Sequence, residues 1–196
     1  MPRYVVGITG ASGSIYGVRL VEELLKRKNE VHLVITQNGE KVLKYELGLD
    51  SEGLASRFAK YEEQGGVIKR YDINDLFAPI ASGSFPADGM TIIPCSMSTL
   101  GFVANGMSCN LLHRAADVFI KEKRKIVIVP RETPLSPIHL ENMLKLSRMG
   151  ASIVAAMPAF YQHPETIEDM VDFVVGRVLD ALDIKNELFN RWNGVD

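Results

Sequence analysis

Short apolar runs alternate with longer segments of helical periodicity, and this alternation constrains the fold more than any other feature of the chain. Strands that alternate with helices form βαβ units, so the pattern predicts an α/β fold with an open, mostly parallel sheet and helices on both faces. The run IVIV at 126–129 lacks polar alternation, which is typical of a strand covered on both faces. The predicted strands are Tyr4–Thr9, Glu30–Thr36, Met90–Pro94, Lys125–Pro130 and Ala151–Met157. The predicted helices are Ile15–Lys26, Gly39–Leu47, Asn110–Lys123, Ile138–Arg148 and Thr166–Ile184.

Two segments depart from this alternation. Asp50–Tyr71 is polar and predicts one helix and an edge strand, whereas Ile80–Gly89 is a loop of small residues. No linker divides the chain, and 196 residues with 46% hydrophobic content suit a single domain spanning 1–196.

Composition excludes several classes of protein. The net charge is −2 without a general basic excess, so no nucleic-acid partner is expected. No apolar stretch approaches the ~20 residues that span a bilayer. The two cysteines, Cys95 and Cys109, form no disulfide framework; we expect a reducing, cytoplasmic setting and a buried structural role for both.

In an open parallel sheet, ligands bind beyond the carboxyl ends of the strands. The residues that follow each predicted strand should therefore converge on one rim and carry the chemistry. These segments are Thr9–Gly13, Thr36–Asn38, Cys95–Thr99, Arg131–Thr133 and Pro158–Tyr161.

A glycine-rich loop, TGASGS at 9–14, joins the first predicted strand to the first predicted helix. Glycine permits close backbone approach, and a helix N-terminus offers free N–H groups and a positive dipole end to an anion. No GK[ST] follows, and the glycine spacing is not GxGxxG. The loop predicts phosphate binding; a structural turn capped by Ser12 or Ser14 is the alternative.

Two further segments carry polar groups at the rim. PCSMST at 94–99 clusters three hydroxyls near an expected helix start, where they could bind a phosphate or a heterocycle edge, or merely cap the helix. Arg131 and Glu132 follow a buried strand: the first could hold a phosphate or a carbonyl, and the second could be an acid or base. A local surface salt bridge is the alternative.

Glu46 shares a helix face with the apolar Val42 and Leu43, so it is a candidate for a raised pKa; a solvated glutamate at the edge of that face is the alternative.

A phosphate-bearing substrate would need cationic and hydroxyl donors, and four residues could provide them. Arg114 and Lys121 are seven apart on one predicted helix, Arg177 lies on the last helix, and Tyr161 follows the last strand. Each could instead be a surface residue whose stem covers apolar neighbours. The four histidines have no metal-ligand spacing, so no catalytic metal is predicted.

Four strings resemble the UbiX/Pad-type flavin prenyltransferases. They are GITGASGSIYGVRL, PCSMSTL, NLLHRAADVFIKEKRKIVIVPRETPLSPIHLENMLKL and AMPAFYQHPETIEDMVDFVVGRVLDAL. The resemblance covers nearly the whole chain, and the PRE-x-P-x-S-x-IHLENM run is its most specific part. It implies a Rossmann-like (flavodoxin-like) flavoprotein that joins dimethylallyl phosphate to N5 and C6 of reduced FMN. It further implies that the product, prenylated FMN, serves a UbiD-type decarboxylase, and that sites lie at subunit interfaces of a dodecamer.

The resemblance also assigns roles by position. The implied catalytic side chains are Ser12, Glu46 and Glu132. The implied FMN-binding residues are Gly10, Ala11, Ser12, Thr36, Ser96, Met97, Ser98, Thr99 and Arg131. The implied residues for the allylic substrate are Arg114, Lys121, Tyr161, Arg177 and Trp192. Trp192 belongs to a C-terminal tail, about 185–196, that is expected to close the site or to pack on a neighbour.

Two other functions compete with this one. An FMN-dependent cysteine decarboxylase would share the N-terminal loop, but such enzymes use a histidine base and a P-x-M-N-x-x-M-W segment, which this chain lacks. A non-catalytic flavin-carrying subunit would not need Glu46, Glu132, Tyr161 and Arg177 together.

Overall fold

The computed structural model describes residues 1–192 and 194, and its centre is a six-stranded sheet in which every pairing is parallel. The strand order is β3-β2-β1-β4-β5-β6. The strands are β1 (Arg3–Ile8), β2 (Glu30–Ile35), β3 (Val67–Tyr71), β4 (Gly89–Cys95), β5 (Ile126–Pro130) and β6 (Ser152–Ile153). The expected open α/β sheet is confirmed, and the polar excursion does contain one helix and the edge strand β3.

Helices cover both faces of the sheet. They are α1 (Ser14–Lys26), α2 (Gln37–Leu47), α3 (Ser51–Glu62), α4 (Met97–Ala104), α5 (Leu111–Lys121), α6 (Pro137–Arg148) and α7 (Ile167–Ala181). One core lies between the sheet and α1, α2, α3 and α7, and the other between the sheet and α4, α5 and α6. Neighbouring residues Val5 and Val6 are both fully buried because they point into opposite cores.

The last strand is much shorter than the sequence predicts. Ala151–Met157 was expected to be a strand, but β6 contains only Ser152 and Ile153. Because β6 is an edge strand, it has a single neighbour to pair with, and beyond Ile153 only Val154 N–H and Ala156 N–H still donate to β5 carbonyls. The chain then leaves the sheet towards Tyr161.

The parallel arrangement places the carboxyl ends of all strands at one edge. The strand order changes direction at β1, which lies between β2 and β4. This is the position at which open α/β sheets bind their ligands, and the loops after β1, β2, β4 and β5 surround it.

Candidate active site

A buried threonine joins the ends of the two central strands. The Thr9 hydroxyl donates to the carbonyl of Pro94 at 2.7 Å and accepts from the backbone N–H of Ser96 at 2.8 Å. Only 1% of Thr9 is exposed. The loops after β1 and β4 are therefore held together by the Thr9 hydroxyl, a contact that the sequence analysis did not predict.

The N-terminus of α1 is occupied by a carboxylate of the chain itself. Glu46, on α2, accepts hydrogen bonds from the backbone N–H groups of Gly13 at 3.0 Å and Ser14 at 2.9 Å. The helix has no side-chain cap from Ser12 or Ser14, because Gly13 is its N-cap residue and has φ 96°. The predicted anion site at this helix start is thus filled by Glu46.

This contact decides between the two alternatives that the sequence left open for Glu46. Burial alone would raise the pKa of its carboxyl, but hydrogen bonds from the Ser12 side chain and from the N–H groups of Ser14 and Gly13 outweigh burial. The pKa is consequently lower than the ordinary value, so the candidate raised pKa is not found, and the alternative of a solvated glutamate at the edge of the face agrees with the structure. Glu46 is exposed rather than directed into an apolar surface.

Arg131 extends this group of contacts to β5. Its Nε donates to the carbonyl of Ser12 at 3.1 Å, and its backbone N–H donates to the carbonyl of Cys95 at 3.2 Å. The neighbouring Glu132 is exposed, and its Oε1 accepts from the N–H of Thr133 at 2.9 Å. Arg131 and Glu132 line a cleft of about 280 Å³. The structure therefore brings Ser12, Arg131 and Glu132 to one rim, as the sequence predicts.

A larger cleft of about 460 Å³ opens on the other side of the β1 loop. The N-termini of α2 and α4 meet there: Thr36 caps α2 by accepting from Gly39 N–H at 3.1 Å, and Ser96 caps α4 by accepting from Thr99 N–H at 3.3 Å. Two helix dipoles and several hydroxyls make this cleft suited to a phosphate. Its lining includes Gly10, Thr36, Gln37, Asn38, Asn74, Ser96, Ser98, Thr99 and Asn110.

Gly10 is required where these elements meet. A Cβ at this position would come within 2.6 Å of the Cβ of Asn38, so only glycine allows the β1 loop to contact the start of α2.

The floor of the larger cleft contains residues that sequence reasoning missed. His113, on α5, is 5% exposed and stacks on Phe102 with ring centroids 4.9 Å apart. Burial lowers its pKa, and neither ring nitrogen has a hydrogen-bond partner among the described residues. Cys109 also lines the cleft and is exposed, so its predicted burial is wrong, whereas Cys95 is fully buried as expected.

The expected substrate residues divide into two groups. Tyr161 contacts Phe173 of α7 and Trp192 of the tail, with centroid distances of 6.0 and 5.7 Å, and Arg177 lies one turn after Phe173 on the same helix. Arg114 and Lys121 lie apart from this cluster, on α5, and pair with Asp117 and Glu122 respectively. Within one chain the four donors do not converge. Residues 193, 195 and 196 of the predicted tail lie outside the described residues.

Neither a metal centre nor a membrane span emerges from the part of the chain that the structure describes. Among residues 1–192 and 194, no cluster of three or more His, Cys, Asp or Glu side chains could hold a metal ion. No helix within the same residues is long and apolar enough to cross a bilayer.

Comparison with known proteins decides the family. The Flavoprotein family model matches residues 1–179. The flavin prenyltransferase UbiX of Halalkalibacterium halodurans is 55% identical to this chain over 190 residues, which cover 96% of this chain and 92% of the relative. The chain belongs to the flavin prenyltransferase family.

Solved structures agree with this membership. This chain is similar to the crystal structure of AnUbiX (PadA1) in complex with FMN and dimethylallyl pyrophosphate, with a TM-score of 0.91 and 42% sequence identity. The match covers 100% of this chain and 99% of the AnUbiX chain. A dodecameric FMN-dependent Ubix-like decarboxylase from Escherichia coli O157:H7 matches with a TM-score of 0.89 and 44% identity, covering 98% and 100%. The resemblance inferred from the four sequence strings is confirmed.

Proposed function

We propose that this protein is a flavin prenyltransferase that joins the dimethylallyl group of dimethylallyl phosphate to N5 and C6 of reduced FMN, producing prenylated FMN. The observation that carries the proposal is the continuous rim on which Ser12, Arg131 and Glu132 meet beside a cleft made by two helix N-termini. Membership of the flavin prenyltransferase family supports the same reaction. Dimethylallyl diphosphate is the alternative donor.

The residues of the rim fit FMN. The larger cleft offers the N-termini of α2 and α4, with Thr36 and Ser96 at their starts, to the phosphate monoester. The backbone of Gly10 and Ala11 runs from this cleft to Ser12. There the Arg131 guanidinium, whose Nε donates to the Ser12 carbonyl, can bind a carbonyl of the flavin ring by its two terminal nitrogens. Reduced FMN supplies nucleophilic positions at N5 and C6 when bound.

The three predicted catalytic side chains have different tasks in this arrangement. Glu46 is held ionised by its hydrogen bonds, so its task is to fix the loop that carries Ser12. Among the described residues the Glu132 carboxylate binds only the adjacent Thr133 N–H, which leaves it able to accept a proton at the rim. Overall, the allylic C–O bond breaks, carbon bonds form to N5 and C6, and one proton accompanies the released phosphate.

Departure of the phosphate requires cations, and a positive pocket stabilises the charge that develops on it. Tyr161 and Arg177 provide one set of donors, and the aromatic rings of Phe173 and Trp192 shield the allyl group from water. Arg114 and Lys121 would complete the set from a neighbouring subunit, because they lie elsewhere in their own chain.

We infer a dodecamer in which the sites lie between subunits. The E. coli relative is a dodecamer, and α6 of this chain exposes Ile138, Leu140 and Leu144 by 63, 53 and 51%, an apolar surface suited to a second copy.

The proposal places the enzyme in the cytoplasm, where a UbiD-type decarboxylase would receive the prenylated FMN.

One anaerobic experiment tests the function. The protein is mixed with reduced FMN and dimethylallyl phosphate, and the flavin is examined by mass spectrometry and absorption. We expect a mass increase of one C5H8 unit and the changed spectrum of a non-aromatic fourth ring. An unchanged flavin would favour a flavin-carrying subunit. Release of CO2 from a peptidyl or pantothenoyl cysteine would instead indicate the cysteine decarboxylase.

A further inference from the structure

The tail of the chain folds back onto α7 and forms what we call the C-terminal strap, residues Lys185–Trp192. Its Phe189 ring packs against Gly176 of α7, where an added Cβ would come within 2.5 Å of a ring carbon. Phe189 also packs edge-on against Phe173 at a centroid distance of 5.0 Å. The absence of a side chain at Gly176 therefore leaves a notch in the surface of α7, and the Phe189 ring fills it.

A polar anchor lies beside this notch. Asn186 is 8% exposed, and its Nδ2 donates to the carbonyl of Gly176 at 3.1 Å and to Asp180 Oδ1 at 2.9 Å. The same Oδ1 accepts from Arg191 Nη2 at 2.8 Å. The strap is therefore fixed both by an aromatic ring in a notch and by hydrogen bonds to one carboxylate.

Asp180 also binds Arg177, and this gives the site an excess of positive charge. Arg177 Nη1 and Arg191 Nη1 each lie 3.2 Å from Asp180 Oδ2. Two guanidiniums thus share one carboxylate, while their side chains remain 53 and 52% exposed. Each guanidinium carries five N–H donors. Arg177 uses one of them on Asp180, and Arg191 uses its Nη1 and Nη2 on Asp180 and on the Asn186 carbonyl, so both residues keep donors for an anion. The two guanidiniums outnumber the one carboxylate, and the remaining positive charge would attract a phosphate group.

The aromatic residues place this pair of arginines beside Tyr161. Trp192 follows Arg191 directly and contacts the Tyr161 ring, and Tyr161 in turn contacts Phe173, one helical turn before Arg177. An anion held by the two guanidiniums would therefore have an apolar, aromatic neighbour on one side. A phosphate ester of a short hydrocarbon has both of these parts.

We propose that Arg191 is a second phosphate-binding residue for the allylic substrate, held next to Arg177 by the anchoring of the C-terminal strap to Gly176 and Asp180. The inference rests on the proposed function, because that function supplies the phosphate-bearing hydrocarbon. It adds a cation from the tail to the donors that the sequence indicated, and it makes Gly176 and Asn186 positioning residues.

The first test uses the intact protein loaded with FMN and compares Arg191→Gln and Arg191→Lys with the wild type. We expect the KM for dimethylallyl phosphate and the inhibition constant of inorganic phosphate to rise about 10- to 100-fold in Arg191→Gln, as for loss of a charged hydrogen bond. Arg191→Lys should recover part of the phosphate affinity, and the Kd for FMN should stay unchanged in both variants.

The second test releases the strap without touching a charge. Gly176→Ala should displace Phe189, and Gly101→Ala is its matched control in α4, where the added Cβ meets only Asn142 Nδ2 at 3.6 Å. Trp192 is the single tryptophan of the chain, so its fluorescence reports directly on the strap. We expect a red-shifted emission and a raised KM in Gly176→Ala, with both quantities unchanged in Gly101→Ala.

The outcomes separate the two proposals. If the wild type leaves the flavin unmodified, the prenyltransferase function fails, but binding of inorganic phosphate can still be measured by calorimetry on the wild type and Arg191→Gln. If the wild type prenylates FMN and Arg191→Gln keeps the KM and the phosphate inhibition constant within twofold, the role of Arg191 is refuted. A Gly176→Ala protein with unchanged tryptophan emission and unchanged KM would refute the positioning role of the strap.

Discussion

Replacing Thr9 by valine keeps the volume of the side chain and removes the hydroxyl that joins β1 to β4. Two hydrogen bonds disappear, those to the Pro94 carbonyl and from the Ser96 N–H. The Pro94 carbonyl keeps the Thr9 N–H as a donor at 3.3 Å, so the group left without a partner is the Ser96 N–H. The change thus combines the loss of two bonds with one unpaired backbone donor.

The expected cost follows from these contacts. A hydrogen bond contributes about 1 kcal/mol net, and a buried donor without a partner costs about 1–3 kcal/mol, so Thr9→Val should destabilise the fold by about 2–4 kcal/mol. For a chain of this size, 1 kcal/mol corresponds to about 2–4 °C in Tm, which predicts a fall of about 4–16 °C. Calorimetry and urea titration would measure both quantities.

Thr91 of β4 offers a matched control. It is also 1% exposed, but its hydroxyl has no hydrogen-bond partner among the described residues. Thr91→Val should therefore leave the free energy of unfolding unchanged or raise it slightly, because no bond is lost and an apolar methyl replaces a buried hydroxyl. Equal stabilities of the two variants, within about 0.5 kcal/mol, would refute the importance of the Thr9 hydrogen bonds.

Three other predictions concern the rim. Glu46→Gln should lower the free energy of unfolding at pH 7 by about 1 kcal/mol, the usual contribution of a helix cap. Because the folded pKa of Glu46 lies below 4.5, urea titrations should show this difference intact above about pH 4.5 and lost as pH falls through the folded pKa; a difference that persists at pH 2 would contradict the assignment. Glu132→Gln should keep the FMN affinity measured by fluorescence but lose most prenyl-flavin formation, and near-normal turnover would remove Glu132 from the mechanism. A thiol reagent should modify the exposed Cys109 and spare the buried Cys95, and FMN should slow the modification as followed by mass spectrometry; equal rates with and without FMN would place the cofactor elsewhere.

The central strands were predictable from the sequence because each is a short, mainly apolar segment whose residues are buried on both faces of the sheet. The strand Ala151–Met157 was predicted too long, since its apolar pattern does not reveal that the chain lies at an edge of the sheet. The Asp50–Tyr71 excursion was predicted correctly, because its polar composition is compatible with only a peripheral helix and an edge strand.

The position of candidate residues at the rim was predictable where they directly follow a strand, as Ser96 and Arg131 do, or lie in the loop after one, as Ser12 does. Contacts between distant segments were not: Glu46 binds the start of α1 across 32 residues of sequence, and Thr9 reaches Ser96 across 87. His113 was missed because a histidine within an apolar helical pattern carries no sign of the cleft that it lines.

The contact between Glu46 and the start of α1 has a consequence for ligand binding. With its carboxylate on two backbone N–H groups, α2 clamps the loop that carries Ser12 before any ligand arrives. A loop that is already rigid loses little conformational entropy on binding, so the interactions it makes translate more fully into affinity. Loss of the Glu46 contact should therefore leave the enthalpy of ligand binding similar and make the entropy of ligand binding less favourable. Titration calorimetry distinguishes this result from the loss of a direct contact with the ligand, which would change the enthalpy.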